Sequence, residues 1–252
     1  METDYSNLQY ASRSTRGKKK KKTRNIVLLI ALLLIALFIL FLLLPISKIS
    51  DITLDGVKLL SEEKIMNQAK VYLGKSYFLV NPESITIELE KLSICKSATV
   101  EKTFPGKLAI NIVENDGVAY LYDNDRWYLV LENGYITEWI TKLDFSELPI
   151  ITDWADKGLI EELAVGLSNT MDSVIAELSE IQLHNTEDNQ EQVLIFTREG
   201  YIVYLELKDF SSKMNIYLDI VETLRSKDAG LGNIYLFDSI RFEKFSGKNP
   251  GN

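Results

Sequence analysis

The side chains best suited to catalysis or metal binding are scarce in this sequence. It contains one cysteine, Cys95, and one histidine, His184, among its 252 residues. A single cysteine cannot form an intramolecular disulfide, and a zinc site needs several cysteine or histidine ligands. We interpret Cys95 as a small buried hydrophobic residue and place His184 in a polar loop over residues 184–189. Neither residue indicates a catalytic group.

Carboxylates are numerous, but their spacing does not indicate a cation site. Asp123 and Asp125 flank Asn124 as in a calcium loop, yet no glycine follows at the sixth position and Arg126-Trp127 interrupts the pattern. A polar hairpin turn explains these residues better. The glycines form neither a phosphate-binding loop nor a dinucleotide fingerprint. We therefore predict a binding protein without catalytic residues, metal ligands, cofactor or small-molecule substrate.

An apolar segment that follows a basic tail determines the predicted membrane topology of the chain. Residues 26–44 are nineteen consecutive apolar residues, which as a helix approach the ~30 Å hydrocarbon thickness of a bilayer. Lys18–Lys22 and Arg24 precede them, and such basic flanks stay on the cytoplasmic side. A cleaved signal peptide would have a shorter apolar core and a small-residue cleavage site, which Pro45–Ile49 does not provide. The sequence predicts an uncleaved single-pass type II anchor behind a cytoplasmic tail at 1–25.

The charge of the chain changes sign across this segment. Residues 1–25 carry eight Lys and Arg against two acidic residues, a net charge of +6. Since the whole chain carries −8, the remainder carries −14. The basic tail either attracts anionic inner-leaflet lipid or serves only as a topology signal. An acidic external part argues against nucleic acid, whose phosphates require a basic surface.

Residues 48–115 have the periodicity of one small α+β domain. A strand is expected over Ile49–Leu54, followed by a helix that Ser61 caps and Gly74 stops. Asn81-Pro82 begins a second helix. Two alternating strands follow, giving the order βααββ. The apolar stripe expected on the first helix consists of Ile65, Met66, Ala69, Tyr72 and Leu73.

This order resembles the POTRA domain of the DivIB/FtsQ bacterial cell-division family. The resemblance rests on Ile52-x-Leu54-x-Gly56 and on Ala98-x-Val100-x-Lys102-x-x-Pro105-x-x-Leu108-x-Ile110-x-Ile112-x-Glu114. The family commonly continues with an Arg-x-Pro-like stretch, whereas this chain has Asn115-Asp116-Gly117. That departure weakens the motif without changing the expected fold.

Residues 116–245 continue the resemblance as the β-domain of the same family. Asn133-Gly134 predicts a hairpin between Trp127–Leu131 and Tyr135–Trp139. A helical stretch is expected over 157–183, in which Gly166 and Asn169 suggest a break or two shorter helices. Later elements are a helix that begins near Ser211 or Ser212, a short closing strand over 234–238, and a polar, disordered remnant at 246–252. The predicted class is α+β: one transmembrane helix, a POTRA domain, and a mixed α/β domain with an antiparallel sheet.

The resemblance also implies a function. Members of this family are non-enzymatic scaffolds of the division machinery at the septum. Their β-domain binds other small bitopic division proteins, DivIC/FtsB-like and FtsL-like, partly by adding a strand beside the last strands. We therefore take the closing strand as the candidate partner-binding edge, consisting of Ile234, Tyr235, Leu236, Phe237 and Asp238. A membrane-anchored sensor and a cell-wall-associated enzyme are the alternatives.

Overall fold

The chain forms one long N-terminal helix followed by two sheets. The computed structural model describes residues 16–138, 140, 148–154, 156–185 and 191–246. The first sheet has three strands and the second has eight. The predicted α+β class, with a small mixed domain before a sheet-rich domain, is confirmed. Residues 1–15 of the predicted tail and residues 247–252 of the predicted remnant lie outside the described residues.

Helix α1, Arg16–Leu43, contains almost all of the apolar segment. Within the described residues, its part Thr23–Leu43 is the one stretch long and apolar enough to cross a membrane. The side chains from residue 23 to residue 40 are all exposed rather than packed against the rest of the protein. Such a large apolar surface is favourable in lipid and unfavourable in water.

A short, well-bonded turn connects α1 to the first sheet. Pro45–Ser47 forms a 3-10 turn, in which Ser47 is fully buried. The Ser47 hydroxyl lies 2.7 Å from the carbonyl oxygens of Leu42 and of Leu44, so its one proton can be donated to either. Leu42 lies in the last turn of α1, where carbonyls lack a partner inside the helix, so the serine supplies a donor at this helix end. The backbone of Ile49 then exchanges hydrogen bonds of 2.8 Å with residues 74 and 75.

The first domain consists of β1 (Asp51–Asp55), α2 (Glu62–Ala69), α3 (Pro82–Leu89), β2 (Cys95–Thr103) and β3 (Lys107–Glu114). This is the predicted βααββ order. The sheet order is β1-β3-β2, with β1 parallel and β2 antiparallel to β3. Both predicted caps are present, because Ser61 accepts from the Lys64 amide and Asn81 from the Glu83 amide.

Helix α2 ends earlier than its apolar stripe predicted. Lys70 adopts a left-handed conformation, with φ 49°, and closes the helix directly after Ala69. A left-handed residue stops helix propagation whatever the residues after it favour. Tyr72 and Leu73 therefore lie outside the helix and are 62% and 61% exposed. Their predicted place in the buried stripe is wrong.

Glu114, the last residue of β3, holds the loop that precedes α2. Its carboxylate accepts hydrogen bonds from the backbone amides of Lys58 at 3.1 Å, Leu59 at 2.8 Å and Leu60 at 2.9 Å. Three successive amides that share one charged acceptor leave few conformations open to the loop. The carboxylate thus joins the end of β3 to the start of the helical layer.

We expect Glu114→Ala to lower the free energy of unfolding of the first domain by about 2 kcal/mol, because three amides lose a charged acceptor. Urea unfolding of the chain from residue 45 onward, followed by circular dichroism, would measure this. The matched control is Glu101→Ala, which deletes an exposed carboxylate of β2 in the same domain. Equal midpoints for the two variants would show that the loop does not depend on Glu114.

The second sheet runs in the order β11-β10-β9-β8-β7-β6-β4-β5. Three of its pairs are parallel, namely β4 with β6, β6 with β7, and β9 with β10. Buried side chains of the strands and helices form one apolar core. The elements are β4 (Gly117–Asp123), β5 (Arg126–Leu131), β6 (Ile150–Thr152), α4 (Ile160–Ser168), α5 (Asp172–Ile175), β7 (Leu178–Asn185), β8 (Glu191–Thr197), β9 (Ile202–Glu206), α6 (Phe210–Met214), α7 (Tyr217–Ser226), β10 (Gly232–Leu236) and β11 (Ile240–Lys244).

The predicted helical stretch over 157–183 is wrong over residues 178–183, whereas the break expected near Gly166 and Asn169 is present. The helix α4 ends at Ser168, a single turn follows, and residues 178–185 form β7 between β6 and β8. Leu178 and Ile181 are buried in the core. Their three-residue spacing fits a helical face, but the pairing of β7 with two neighbouring strands decides the outcome. His184 also lies in β7 rather than in a loop, and residues 186–190 are outside the described part of the chain.

The structure also locates the other residues considered for chemistry. Cys95 is 7% exposed at the start of β2, and its burial raises the pKa of the thiol, so the buried-hydrophobe interpretation is confirmed. Asn124 and Asp125 have φ values of 50° and 59° in the turn between β4 and β5. The hairpin-turn interpretation of Asp123–Asp125 is therefore confirmed.

Candidate partner-binding edge

The predicted partner-binding strand does not lie at the edge of the sheet. Strand β10 pairs in parallel with β9 on one side and antiparallel with β11 on the other. Phe237 and Asp238 lie after its last residue, in the bend that leads into β11. The expectation that residues 234–238 form the free edge is corrected accordingly. The edge is β11, beyond which no strand pairs within the described residues.

The sequence contains a signal for β11 that was missed. Ile240 and Phe242 alternate with Arg241 and Glu243, which is the period of a strand with one apolar face. The segment is short, and its charged residues resemble the composition of a polar C-terminal tail, so the strand pattern is weak. Charges are common on edge strands because they discourage uncontrolled pairing.

The hydrogen-bond alternation shows which backbone groups of β11 face outward. The Phe245 amide donates to the Leu231 carbonyl at 3.1 Å, which makes these two residues a directly bonded antiparallel pair. The pairing register then makes Arg241 and Glu243 the residues bonded to β10. The backbone groups of Ile240, Phe242 and Lys244 point away from the sheet. These three residues offer outward amides and carbonyls to an added strand.

The side chains of β10 divide between the two faces of the sheet. Ile234 and Leu236 are 0% and 1% exposed and belong to the core. Tyr235 lies on the opposite, half-buried face of the sheet. Of the predicted site residues, only Tyr235 and the two in the bend, Phe237 and Asp238, therefore have side chains that a partner can reach. Substitution of Leu236 would therefore test stability rather than binding.

An aromatic row crosses that half-buried face. Leu194, Tyr204, Tyr235 and Arg241 lie directly opposite one another on β8, β9, β10 and β11. The rings of Tyr204 and Tyr235 stack with centroids 4.8 Å apart, and the Arg241 guanidinium lies 4.1 Å from the Tyr235 centroid. Burial raises the pKa of Tyr204, with Tyr235 and Glu243 adding to the effect. Tyr204 therefore keeps its phenol proton at neutral pH.

A lysine from the helical layer fixes the bend before β11. The Lys213 ammonium on α6 donates to the Phe237 carbonyl at 2.5 Å. Asp238, the next residue, is exposed. The bend is thus tied to the core on one side and open to solvent on the other, next to the outward backbone of β11.

Two family models match the chain. The model described as POTRA domain, FtsQ-type matches residues 47–115, and the model described as cell division protein FtsQ/DivIB, C-terminal matches residues 119–238. Together they cover the chain almost without a gap from the end of α1 to the bend before β11. The chain belongs to the FtsQ/DivIB family. Within this FtsQ/DivIB protein, strand β11 lies beyond the end of the second match.

Similar proteins from other bacteria are described as cell division protein DivIB. It is 29% identical over 207 residues to the cell division protein DivIB of Bacillus subtilis, covering 81% of this chain and 77% of the relative. It is 28% identical over 181 residues to that of Geobacillus kaustophilus, covering 71% and 69%. A solved structure of the major extracytoplasmic domain of DivIB from Geobacillus stearothermophilus, described as the trans isomer, is 27% identical with a TM-score of 0.39, covering 45% of this chain and 96% of that one.

The family assignment gives the chain a role in bacterial cell division. The membership and the apolar helix α1 together indicate a membrane-anchored division protein. Groups of three or more His, Cys, Asp or Glu side chains that could hold a metal ion are absent from the described residues.

Proposed function

We propose that this chain is a non-enzymatic scaffold of the division machinery that binds other bitopic division proteins through β11. It has its N-terminus in the cytoplasm and its two domains outside, at the division septum, and it supports septum formation. The observation that carries the binding site is the free edge of the eight-stranded sheet at β11. The partner classes follow from the family resemblance and are the DivIC/FtsB-like and FtsL-like proteins.

The orientation is supported by the charges that flank α1. Basic residues precede the apolar segment, and the acidic domains follow it. Lys and Arg near a span remain on the cytoplasmic side because their translocation is unfavourable. Both domains then lie on the far side of the membrane, where the external parts of other bitopic proteins can reach β11.

The binding mode is supported by the atoms that β11 presents. Outward amides and carbonyls at alternate residues supply affinity to any extended segment, whatever its side chains. The neighbouring aromatic row and the exposed Asp238 can distinguish one segment from another. Catalysis has no comparable support, since Cys95 is buried and the described contact of His184 is an edge-to-face ring contact with Tyr204.

We expect Lys244→Pro to weaken binding of the bitopic partners about fivefold, since it removes one outward amide worth about 1 kcal/mol. Because this amide does not bond to β10, the fold should be unaffected. Lys244→Ala is the matched control, as it removes the same exposed side chain and keeps the amide. Affinity would be measured with purified partners, alongside circular dichroism. Equal affinities of the two folded variants would exclude β11 as the edge used.

A further inference from the structure

Four aromatic rings join the first domain to helix α1. The Phe78 ring lies 5.8 Å from that of Phe41 on α1, 5.5 Å from Tyr77 and 6.5 Å from Phe104, measured between centroids. Tyr77 and Phe104 are 5.9 Å apart. We call these four side chains the ring cluster. It connects the turn after β2 and the loop before α3 directly to the apolar helix.

Large apolar side chains around the ring cluster are exposed. Leu79 is 83% exposed, and Phe78 and Phe104 are 46% and 51% exposed. Tyr72 and Leu73, which the early end of α2 leaves outside the helix, are 62% and 61% exposed. Large apolar side chains exposed in this number within one domain are unfavourable in water and mark a contact with another phase or molecule.

The position of α1 determines the level at which this surface lies. Phe41 is two residues from the end of the helix, so its Cα is about 3 Å from that end along the axis. A ring that contacts Phe41 is therefore at the boundary between hydrocarbon and headgroups when α1 spans the bilayer. The bonded turn at Pro45–Ser47 keeps the domain at this level.

Lysines accompany the aromatic side chains at this level. The Lys102 ammonium lies 4.5 Å from the Tyr77 ring centroid, and the Lys75 ammonium lies 5.7 Å from that of Tyr72. Lys48, directly after the turn, is exposed. Aromatic rings with adjacent lysines are the composition of membrane interfaces, where rings lie among the headgroups and ammonium groups reach the phosphates.

We propose that this surface of the POTRA domain is embedded in the headgroup layer of the bilayer, on the side where the two domains lie. Phe78, Leu79 and Phe104 enter the acyl boundary, and Lys48, Lys75 and Lys102 contact lipid phosphates. The ligand class is phospholipid, with anionic headgroups preferred because the nearby charges are basic. The proposal rests on the proposed anchoring of α1, since the ring cluster reaches the bilayer only through it.

The test uses the full chain reconstituted in vesicles of phosphatidylcholine and phosphatidylglycerol with brominated acyl chains, which quench a nearby fluorophore. In a Cys95→Ala background, Leu79→Cys carries an environment-sensitive dye. Val113→Cys is the matched control, being an apolar residue 55% exposed on the same domain. It lies six residues along β3 from Lys107, about 20 Å farther from the turn. Circular dichroism checks that each variant is folded.

We expect several-fold stronger quenching at position 79 than at 113, and a loss of that difference with Phe78→Ser. Equal, weak quenching at both positions, in a chain that still resists alkaline extraction from the vesicles, would overturn this inference and leave the anchoring intact. A chain that is extracted would contradict the anchoring as well. A dye at 79 that is shielded only after other membrane proteins are added would show a protein interface and likewise overturn the inference.

Discussion

Gly56→Ala is expected to lower the free energy of unfolding of the first domain by about 3 kcal/mol. Gly56 has φ +78°, where a side chain costs about 1 kcal/mol. A Cβ there would also lie 1.9 Å from the carbonyl oxygen of Ile112, so β3 must move. The cost of the positive φ and the cost of the clash with Ile112 add, because the first concerns the local backbone and the second a neighbouring strand. Gly56 is thus required where β1 leaves the sheet.

Gly74→Ala separates these two costs. Its φ of +84° is similar, but nothing lies within 4 Å of its added Cβ. We expect it to lose only about 1 kcal/mol. Urea unfolding of the chain from residue 45 onward, followed by far-ultraviolet circular dichroism, would measure both variants. If the two lost the same stability, the close approach to Ile112 would be relieved without cost and the argument would be wrong.

Gly232→Ala is expected to detach β11 and reduce binding of the bitopic partners more than tenfold. An added Cβ would lie 2.2 Å from the Glu243 carbonyl oxygen and 2.8 Å from the Phe242 ring. The backbone oxygen cannot swing away as a flexible side chain would, so the strand itself must shift. A detached β11 would lose several hydrogen bonds to the partner strand, each worth about 1 kcal/mol. Their sum exceeds the roughly 1.4 kcal/mol that corresponds to a tenfold change in binding affinity.

Hydrogen exchange would follow this change directly. The amides of Arg241 and Glu243, which bond to β10, should lose protection, while those of β8 and β9 keep it. Gly158→Ala is the control in the same domain, because its added Cβ meets only the Asp156 carboxylate at 3.1 Å. Unchanged protection in β11 together with unchanged binding would show that the edge tolerates the alanine.

The first domain was predictable because its signals are local. Ser61 and Asn81 cap the helices at the predicted places, and the strands around Pro105-Gly106 alternate clearly. The end of α2 was not predictable, since Lys70 adopts a conformation that a lysine rarely takes. The apolar character of Tyr72 and Leu73 fits a helical face equally well, so their exposure appears only in the three-dimensional structure.

The candidate site was predicted only in part, for a different reason. The pattern of residues 234–236 identifies a strand, but strand order is a long-range property that no local pattern contains. Whether β10 is an inner or an edge strand depends on the pairing of Tyr235 with Arg241 across the bend. Similarly, the helical period predicted through residue 183 is overridden by strand pairing, and the β6 partner of Glu180 is Ile150, far away in sequence.

The two ends of the eight-stranded sheet differ in what lies beside them. At the β5 end, Ile136 bridges to Val130 and Ile140 bridges to Trp127, so the chain itself continues the pairing there. At the β11 end, no further strand pairs within the described residues. The proposed strand addition at β11 would therefore extend the sheet from one end, and head-to-tail association of two copies, a route to open fibres, could not pair β11 directly with β5.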